Sequence, residues 1–232
     1  MKENSKYGSM IDLLQLQKQF ILNHLREGDT AVDFTMGNGH DTAFLSKTVG
    51  EFGHVYAFDV QEMALSSTSE NLKNANCPNN YTLILDSHHN VKKYVDVPIK
   101  AGMFNLGYLP GSGKKAVTTM RETTMPAVEA AIEMLSPDGV LIIAIYPGHK
   151  EGELEGDMLR EYFKALSRFK ICPSEFHILN SPTSPYFFLV ESYKFCVLEG
   201  GFNITLNSLI GRVEDTDNVV IAVFCLLHSC QN

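Results

Sequence analysis

Apolar side chains recur through residues 10–26 at Ile11, Leu14, Leu16, Phe20, Ile21 and Leu25, close to a helical period, and Glu27, Gly28 and Asp29 end the pattern. The spacing predicts a helix that flanks the domain or covers it as a lid. From there short apolar runs alternate with helical stretches. The runs are residues 30–34, 54–58, 81–85, 101–106 and 140–145, with helices expected from about Asp41, Met63 and Thr123. Short Val, Ile, Leu and Phe strands separated by amphipathic helices predict βαβ units and a parallel sheet covered on both faces. Right-handed crossovers then bring the carboxyl end of every parallel strand to one edge, where ligands collect.

The order changes after a further helix expected over residues 156–169. Two strand-like runs, 176–179 and 186–190, are joined by Asn180, Ser181, Pro182, Thr183, Ser184 and Pro185, too short a link for a crossover helix. They should pair as an antiparallel hairpin. A mostly parallel α/β sheet with a C-terminal antiparallel hairpin and helices on both faces is the Rossmann-like pattern of class I methyltransferases, and plain dinucleotide-binding domains usually lack the hairpin. Residues 1–192 are therefore read as one such domain and residues 193–232 as an extension. The extension holds a Gly200-Gly201 turn, a strand-like run 203–210, a charged turn 214–217 and an apolar run 219–227. Its expected role is an extra strand packed on the domain or on a partner subunit, the latter making a homodimer.

Composition narrows the functions. A chain of 232 residues, 44% hydrophobic, suits one soluble domain. The net charge of -8 excludes broad, non-specific attraction to nucleic acid, which needs a surplus of Lys and Arg, and leaves only local basic pairs such as Lys92-Lys93 and Lys114-Lys115. No run reaches the roughly 18–20 apolar residues of a membrane span, and the first residues lack the apolar stretch of a secretory signal, so a cytoplasmic location is expected. Cys77, Cys172, Cys196, Cys225 and Cys230 are scattered with no C-x-x-C pair and are read as reduced thiols. No metal is expected: Cys225, His228 and Cys230 lack a fourth ligand of suitable spacing, and the neighbours His88 and His89 would seldom face one ion.

The strongest chemical signal runs from Ala31 to Thr42. A strand ends in Asp33, the loop Thr35, Met36, Gly37, Asn38, Gly39 makes a tight turn, and a helix begins at Asp41, so backbone can approach a nucleoside-like ligand closely. A dinucleotide fingerprint would want a third glycine where Thr42 stands. Asp41 puts a negative side chain where a pyrophosphate would bind, which favours a cationic ligand such as the sulfonium and ammonium groups of S-adenosyl-L-methionine. Asp59 closes the second strand about twenty residues on and can accept both ribose hydroxyls, with Gln61 near the ribose or adenine edge or simply opening the next helix. Asp86, Ser87 and His88 follow the third strand, where Ser87 or Asp86 could pair with the adenine amine.

On the acceptor side, the fourth strand ends in Asn105 and continues Leu106, Gly107, Tyr108. The spacing Asn-x-x-Tyr is similar to the Asn-Pro-Pro-Tyr signature of amino-group methyltransferases, in which the Asn oxygen accepts hydrogen bonds from the target nitrogen. Leu106 and Gly107 replace the two prolines, which leaves the loop more flexible. After the fifth strand, Tyr146 and His149 stand where an acceptor pocket would be lined, with His149 able to take a proton near neutral pH.

Taken together, the segments from Asp33 to Thr42, Phe104 to Gly111, Lys115 to Thr119 and Ile145 to His149 closely resemble the bacterial family labelled rRNA methylase. The resemblance covers about residues 8–192. Members of that family act as tRNA 5-aminomethyl-2-thiouridine methyltransferases. It implies N-methylation of the aminomethyl group on the wobble uridine of tRNA, with S-adenosyl-L-methionine as donor. Phe34 departs from the small residue usual there, and the segment Gly111-Ser112-Gly113 departs mildly. A small footprint on the anticodon stem-loop, using Lys114, Lys115, Arg121 and Lys150 with Tyr108 or Tyr146 stacked on a flipped base, would reconcile a tRNA partner with the acidic charge. Other readings are a methyltransferase of rRNA or a small amine, an NAD-dependent oxidoreductase, which Asp41 and Thr42 disfavour, and a nucleoside-binding module without catalysis.

Overall fold

The structure is a computed structural model that describes residues 12–107, 119–147, 150–181 and 183–193. Helix α1 (Leu13–His24) opens on Asp12, whose carboxylate accepts from the Leu14 and Gln15 N–H groups and so caps the first turn. Its buried positions are Gln17 and Ile21, while Leu14 and Leu22 face outward. The apolar pattern thus located the helix and most of its inward face: Leu16, Phe20, Ile21 and Leu25 pack into the core, and Leu14 is the described residue of that pattern that faces out. It lies against the sheet as a flanking element, with Ile21 and Leu25 in the same core cluster as Ala101, Met103, Val140 and Ile142.

The remaining elements follow in the order β1 (Thr30–Asp33), α2 (His40–Val49), β2 (His54–Asp59), α3 (Glu62–Asn74), β3 (Tyr81–Leu85), a 3₁₀ turn (His88–Lys93), β4 (Ile99–Leu106), α4 (Arg121–Met134), β5 (Leu135–Ile145), α5 (Lys150–Ala165), β6 (Ile171–Phe176) and β7 (Tyr186–Ser192). One seven-stranded sheet runs β3-β2-β1-β4-β5-β7-β6. Strands β1 to β5 are parallel, and β7 runs antiparallel to both its neighbours. The expected architecture, a mostly parallel class I methyltransferase sheet closed by an antiparallel pair, is therefore present. Strand order reverses between β1 and β4, and the crevice at the carboxyl ends of those two strands is the topological switch point where ligands bind in such sheets.

Several boundaries differ from expectation, each for a physical reason. Helix α5 begins at Lys150, not near residue 156, and ends at Ala165. The added first turn includes Gly152, which, like Gly156, is buried, and Gly156 is pressed against Tyr186. Strand β6 covers Ile171–Phe176 in place of residues 176–179, and Leu179 is exposed. The strand contains Pro173, which β6 tolerates because it is the sheet edge, where one side of the backbone needs no partner. Strands β4 and β5 start two and five residues earlier than their apolar runs, at Ile99 and Leu135, across a register irregularity between Ile99 and Ala101.

Phe34 fits the fold because its neighbours make room. Its ring stacks on Phe104 with centroids 4.0 Å apart. A Cβ at Gly102 would lie 2.9 Å from the Phe34 ring and 2.6 Å from Leu141, so the missing side chain at position 102 is what accommodates the large one at position 34. No helix among the described residues is long and apolar enough to cross a membrane. Residues 194–232, with the expected extra strand, lie outside the described residues.

Gly156 offers a test of the packing. A Cβ there would stand 2.0 Å from the Tyr186 hydroxyl and 3.2 Å from the ring carbon that bears it. Gly156→Ala should destabilise the domain by about 1–3 kcal/mol through overpacking, measured by urea unfolding. In a Tyr186→Phe background the 2.0 Å contact is gone while those to the ring carbon and to Ile145 at 3.3 Å remain, so the destabilisation by Gly156→Ala should shrink markedly.

Candidate active site

The turn after β1 is held from three sides. Phe34 N–H donates to Met103 O and Met36 N–H to Phe58 O, each at 2.9 Å, which pins the turn between the ends of β4 and β2. From α3, Thr68 Oγ1 donates to Gly37 O at 3.1 Å and Asn71 Nδ2 to Asn38 O at 3.0 Å. Gly39, with φ of 80°, is the residue from which α2 starts, and a Cβ on it would sit 2.8 Å from the Thr68 Cα. Both the left-handed backbone and the close approach require glycine at that position.

Asp33 is fully buried beneath this turn. Its Oδ2 accepts from Thr42 Oγ1 at 2.7 Å and its Oδ1 from Thr35 N–H at 3.1 Å. Burial pushes its pKa up to about 7, and the nearby charge of Asp41 adds to the shift, against the two hydrogen bonds that favour the anion. Asp59 at the end of β2 accepts from Gly37 N–H at 3.2 Å and Gln61 N–H at 3.0 Å, and burial raises its pKa as well. Three carboxylates thus surround one glycine turn.

Asn105 on β4 meets this turn directly. Its backbone N–H donates to Thr35 Oγ1 at 2.7 Å, and its side-chain Nδ2 donates to Asp41 Oδ2 at 2.7 Å. The Tyr146 hydroxyl, just beyond β5, donates to Asn105 Oδ1 at 3.3 Å. Burial, followed by the charge of Asp41, raises the pKa of Tyr146, so its hydroxyl keeps its proton and acts as a donor. Asp33, Thr35, Asp41, Asn105 and Tyr146 therefore form one connected network at the switch point.

The other expected residues are placed differently. Asp86 accepts from Ser87 N–H at 2.7 Å, from Tyr94 OH at 2.8 Å and from Asn90 Nδ2 at 2.9 Å, and the Asn90 and Tyr94 bonds hold its carboxyl below the usual range. Ser87 Oγ is paired with His89 Nδ1 at 2.8 Å. His88 is buried with its ring edge against Phe104, and burial pulls its pKa down to about 4. The neutral ring places Nδ1 3.1 Å from the Phe34 carbonyl, which can only accept, so Nδ1 carries the proton. The Met36 side chain is packed with Ala57 and Ala64, and Thr42 spends its hydroxyl on Asp33, so these two build the turn from inside. Tyr108, His149, Lys114 and Lys115 lie outside the described residues. Of the other cations expected to meet RNA, Arg121 is engaged with Glu151 at 2.9 Å, and Lys150 is exposed.

Two supporting groups escaped the sequence reading. Thr68 and Asn71 lie one helical turn apart on α3, on the side that carries the buried Ala64, a spacing that could have marked them. Glu155 is fully buried and accepts from Thr124 Oγ1 at 2.5 Å and Thr119 Oγ1 at 2.8 Å, tying α5 to the start of α4. Glu155, Leu159 and Phe163 share one face of α5 at intervals of four, and a lone acid on such a face is the signal that was available.

Titration of Asp33 gives a pH prediction. Its pKa rises from 3.8 in the unfolded chain to about 7 in the fold, so the folded state holds the proton longer. Stability from this group is fully present below the unfolded pKa and is lost as pH rises from about 4 to about 7. Urea unfolding of the wild type, less that of Asp33→Asn, should show the wild type losing ground across that window and no further change above it. A flat difference would contradict the assignment.

Residues 55–191 match the family described as "Putative rRNA methylase". A chloroplastic tRNA (mnm(5)s(2)U34)-methyltransferase of Arabidopsis thaliana is 34% identical over 174 residues, covering 69% of this chain and 62% of that protein. The chain thus spans less than two thirds of that relative's length. A structure described as an rRNA-methylase from Clostridium thermocellum is similar at a TM-score of 0.76 and 38% identity, over 80% of this chain and all of that one. A methyltransferase structure from Streptococcus mutans in complex with SAH is similar at a TM-score of 0.72 and 38% identity, over 79% and 99% of the two chains. With the match extending over more than half its length, the chain belongs to the "Putative rRNA methylase" family.

Proposed function

We propose that the chain is an S-adenosylmethionine-dependent N-methyltransferase acting on the aminomethyl group of 5-aminomethyl-(2-thio)uridine at the tRNA wobble position. The observation that carries this reading is the Asn105 side chain. Its amide is tied to Asp41 and presents its carbonyl oxygen beside Tyr146 at the carboxyl end of β4. A carbonyl oxygen has two lone pairs. One accepts from Tyr146, and the other is left for an N–H of a neutral amine. An amine held in this way keeps its nitrogen lone pair free to attack, which a hydroxyl or carbon acceptor would not need from an amide.

The donor side is supported by the carboxylates. Asp41 and Asp59 beside the glycine turn offer carboxylates that a cation complements, whereas a pyrophosphate would be repelled. S-adenosylmethionine, when bound, supplies an electrophilic methyl group on a positively charged sulfur. Asp41 would face its charged amino acid end, Asp59 and Gln61 its ribose, and Asp86 and Ser87 its adenine edge, while Gly37, Asn38 and Gly39 allow close backbone approach. Transfer by direct displacement needs alignment above all, for which fixed geometry contributes roughly 7–11 kcal/mol. Asp33 lies behind Thr35 and Thr42 and shapes the turn without meeting the acceptor. The wobble-uridine substrate is supported by the Arabidopsis relative's described activity. A single flipped base is also a small enough target for a chain of net charge -8. Residues 1–192 carry this activity in our reading, with 193–232 as an added extension.

Nucleoside mass spectrometry of tRNA incubated with the protein and the methyl donor tests the reading. Transcripts carrying the aminomethyl group should gain one methyl at that uridine, and tRNA lacking the group should stay unchanged. Asn105→Ala should lower kcat at saturating donor by about 10²–10³-fold, the usual cost of removing one positioned polar partner. Methylation of rRNA, or of tRNA without the aminomethyl group, would contradict the substrate assignment.

A further inference from the structure

Asp41 stands in the first turn of α2, on the side of the glycine turn where a positive donor group is expected, yet one of its oxygens is already spent. Oδ2 accepts a 2.7 Å hydrogen bond from Asn105 Nδ2. That bond decides which way round the amide stands. A carboxylate only accepts and an amide NH₂ only donates, so with Nδ2 toward Asp41 the carbonyl oxygen turns the other way, toward Tyr146. A flipped amide would set two acceptors against each other at hydrogen-bond distance. Thr35 Oγ1, accepting from Asn105 N–H at 2.7 Å, fixes the backbone from which the amide hangs. The remaining oxygen of Asp41 has no such bond to Asn105, and it lies on a helix that starts at the glycine turn.

We propose that Asp41 is a positioning residue shared by both halves of the site: through Oδ2 it locks the Asn105 amide with its carbonyl toward the acceptor, and through Oδ1 it meets the donor's positive charge. Donor binding and acceptor alignment are then coupled through one carboxylate, and the coupling is reciprocal. The proposal rests on the N-methyltransferase reading above and adds to it a specific division of labour within one side chain. A bond that served stability alone would not distinguish the donor from the acceptor in kinetics or in spectra.

Side-chain amide signals of Asn105 in ¹⁵N-labelled protein, assigned by their loss in Asn105→Ala, report the clamp without turnover. In the wild type they should lie away from the position of a solvated amide and should move on titration with S-adenosylhomocysteine, which carries the ammonium group. In Asp41→Ala they should collapse toward the solvated position and cease to respond. Asp41→Asn keeps the volume and an acceptor oxygen, so the signals should stay shifted while the response to S-adenosylhomocysteine weakens; this variant decides the matter if Asp41→Ala fails to fold. At saturating donor, kcat of Asp41→Ala should fall on the order of 10–100-fold, the scale expected of a misaligned reacting group, with part of the loss recovered in Asp41→Asn. Unchanged Asn105 signals in Asp41→Ala, or a change confined to the KM of the donor, would overturn the proposal. If the wild type methylates no amine, the functional reading fails, and the amide signals still judge the clamp: movement supports it and constancy overturns it.

Discussion

A carboxylate on α2 and an amide on β4, 64 residues apart in the chain, meet at 2.7 Å across the point where the strand order reverses. Most of the site follows from what is needed to make that meeting possible. Asp33 pairs with Met103 in the β1–β4 ladder, so two residues further on Thr35 stands beside Asn105 and receives its N–H. The chain must then reverse within a few residues to start α2 close enough for Asp41 to reach. Gly39 makes this turn possible by taking a left-handed conformation against Thr68, and α3 holds the turn in place through Thr68 and Asn71.

Electrostatically the arrangement costs the folded protein stability. Burying Asp33 disfavours its charge, and Asp41 and Asp59 nearby make it worse, which is why its pKa is pushed up to about 7. Local hydrogen bonds from Thr42 and Thr35 offset only part of that cost. A core chosen for stability alone would not gather three acids at one turn. Binding of a cation at this turn would offset that cost, because it stabilises the charged forms of carboxylates that burial and mutual repulsion disfavour.

Much of this was visible along the chain, and what was not has physical causes. The alternation of apolar runs and helices is local, so the parallel strands and their order of appearance could be read directly. The glycine turn between Asp33 and Thr42 announced itself because glycine and capping acids have few other uses in combination. Edge strand β6 stayed hidden because Pro173 looks like a break unless its position at the sheet edge is known. The early start of α5 was hard to read because glycine has a low helix propensity, so Gly152 and Gly156 blur where the helix begins, and the fit of Gly156 against Tyr186 shows only once the fold is made. Among site residues, Asn105 and Asp41 were each legible by type. Their bond was not, since no pattern within either segment encodes a contact between a helix and a strand 64 residues apart that only the pairing of β1 with β4 brings together. Met36 and His88 were drawn into the site by sequence position, while their side chains turn inward to the core.

The central claim is that this negatively charged glycine turn holds a cationic methyl donor facing an amine that Asn105 orients. Isothermal titration of the wild-type chain with S-adenosylmethionine measures its first half without assuming any acceptor. The account expects saturable heat at a single site, retained with S-adenosylhomocysteine and absent with NADH. No heat with either sulfur compound, in protein shown by circular dichroism to be folded, would contradict it.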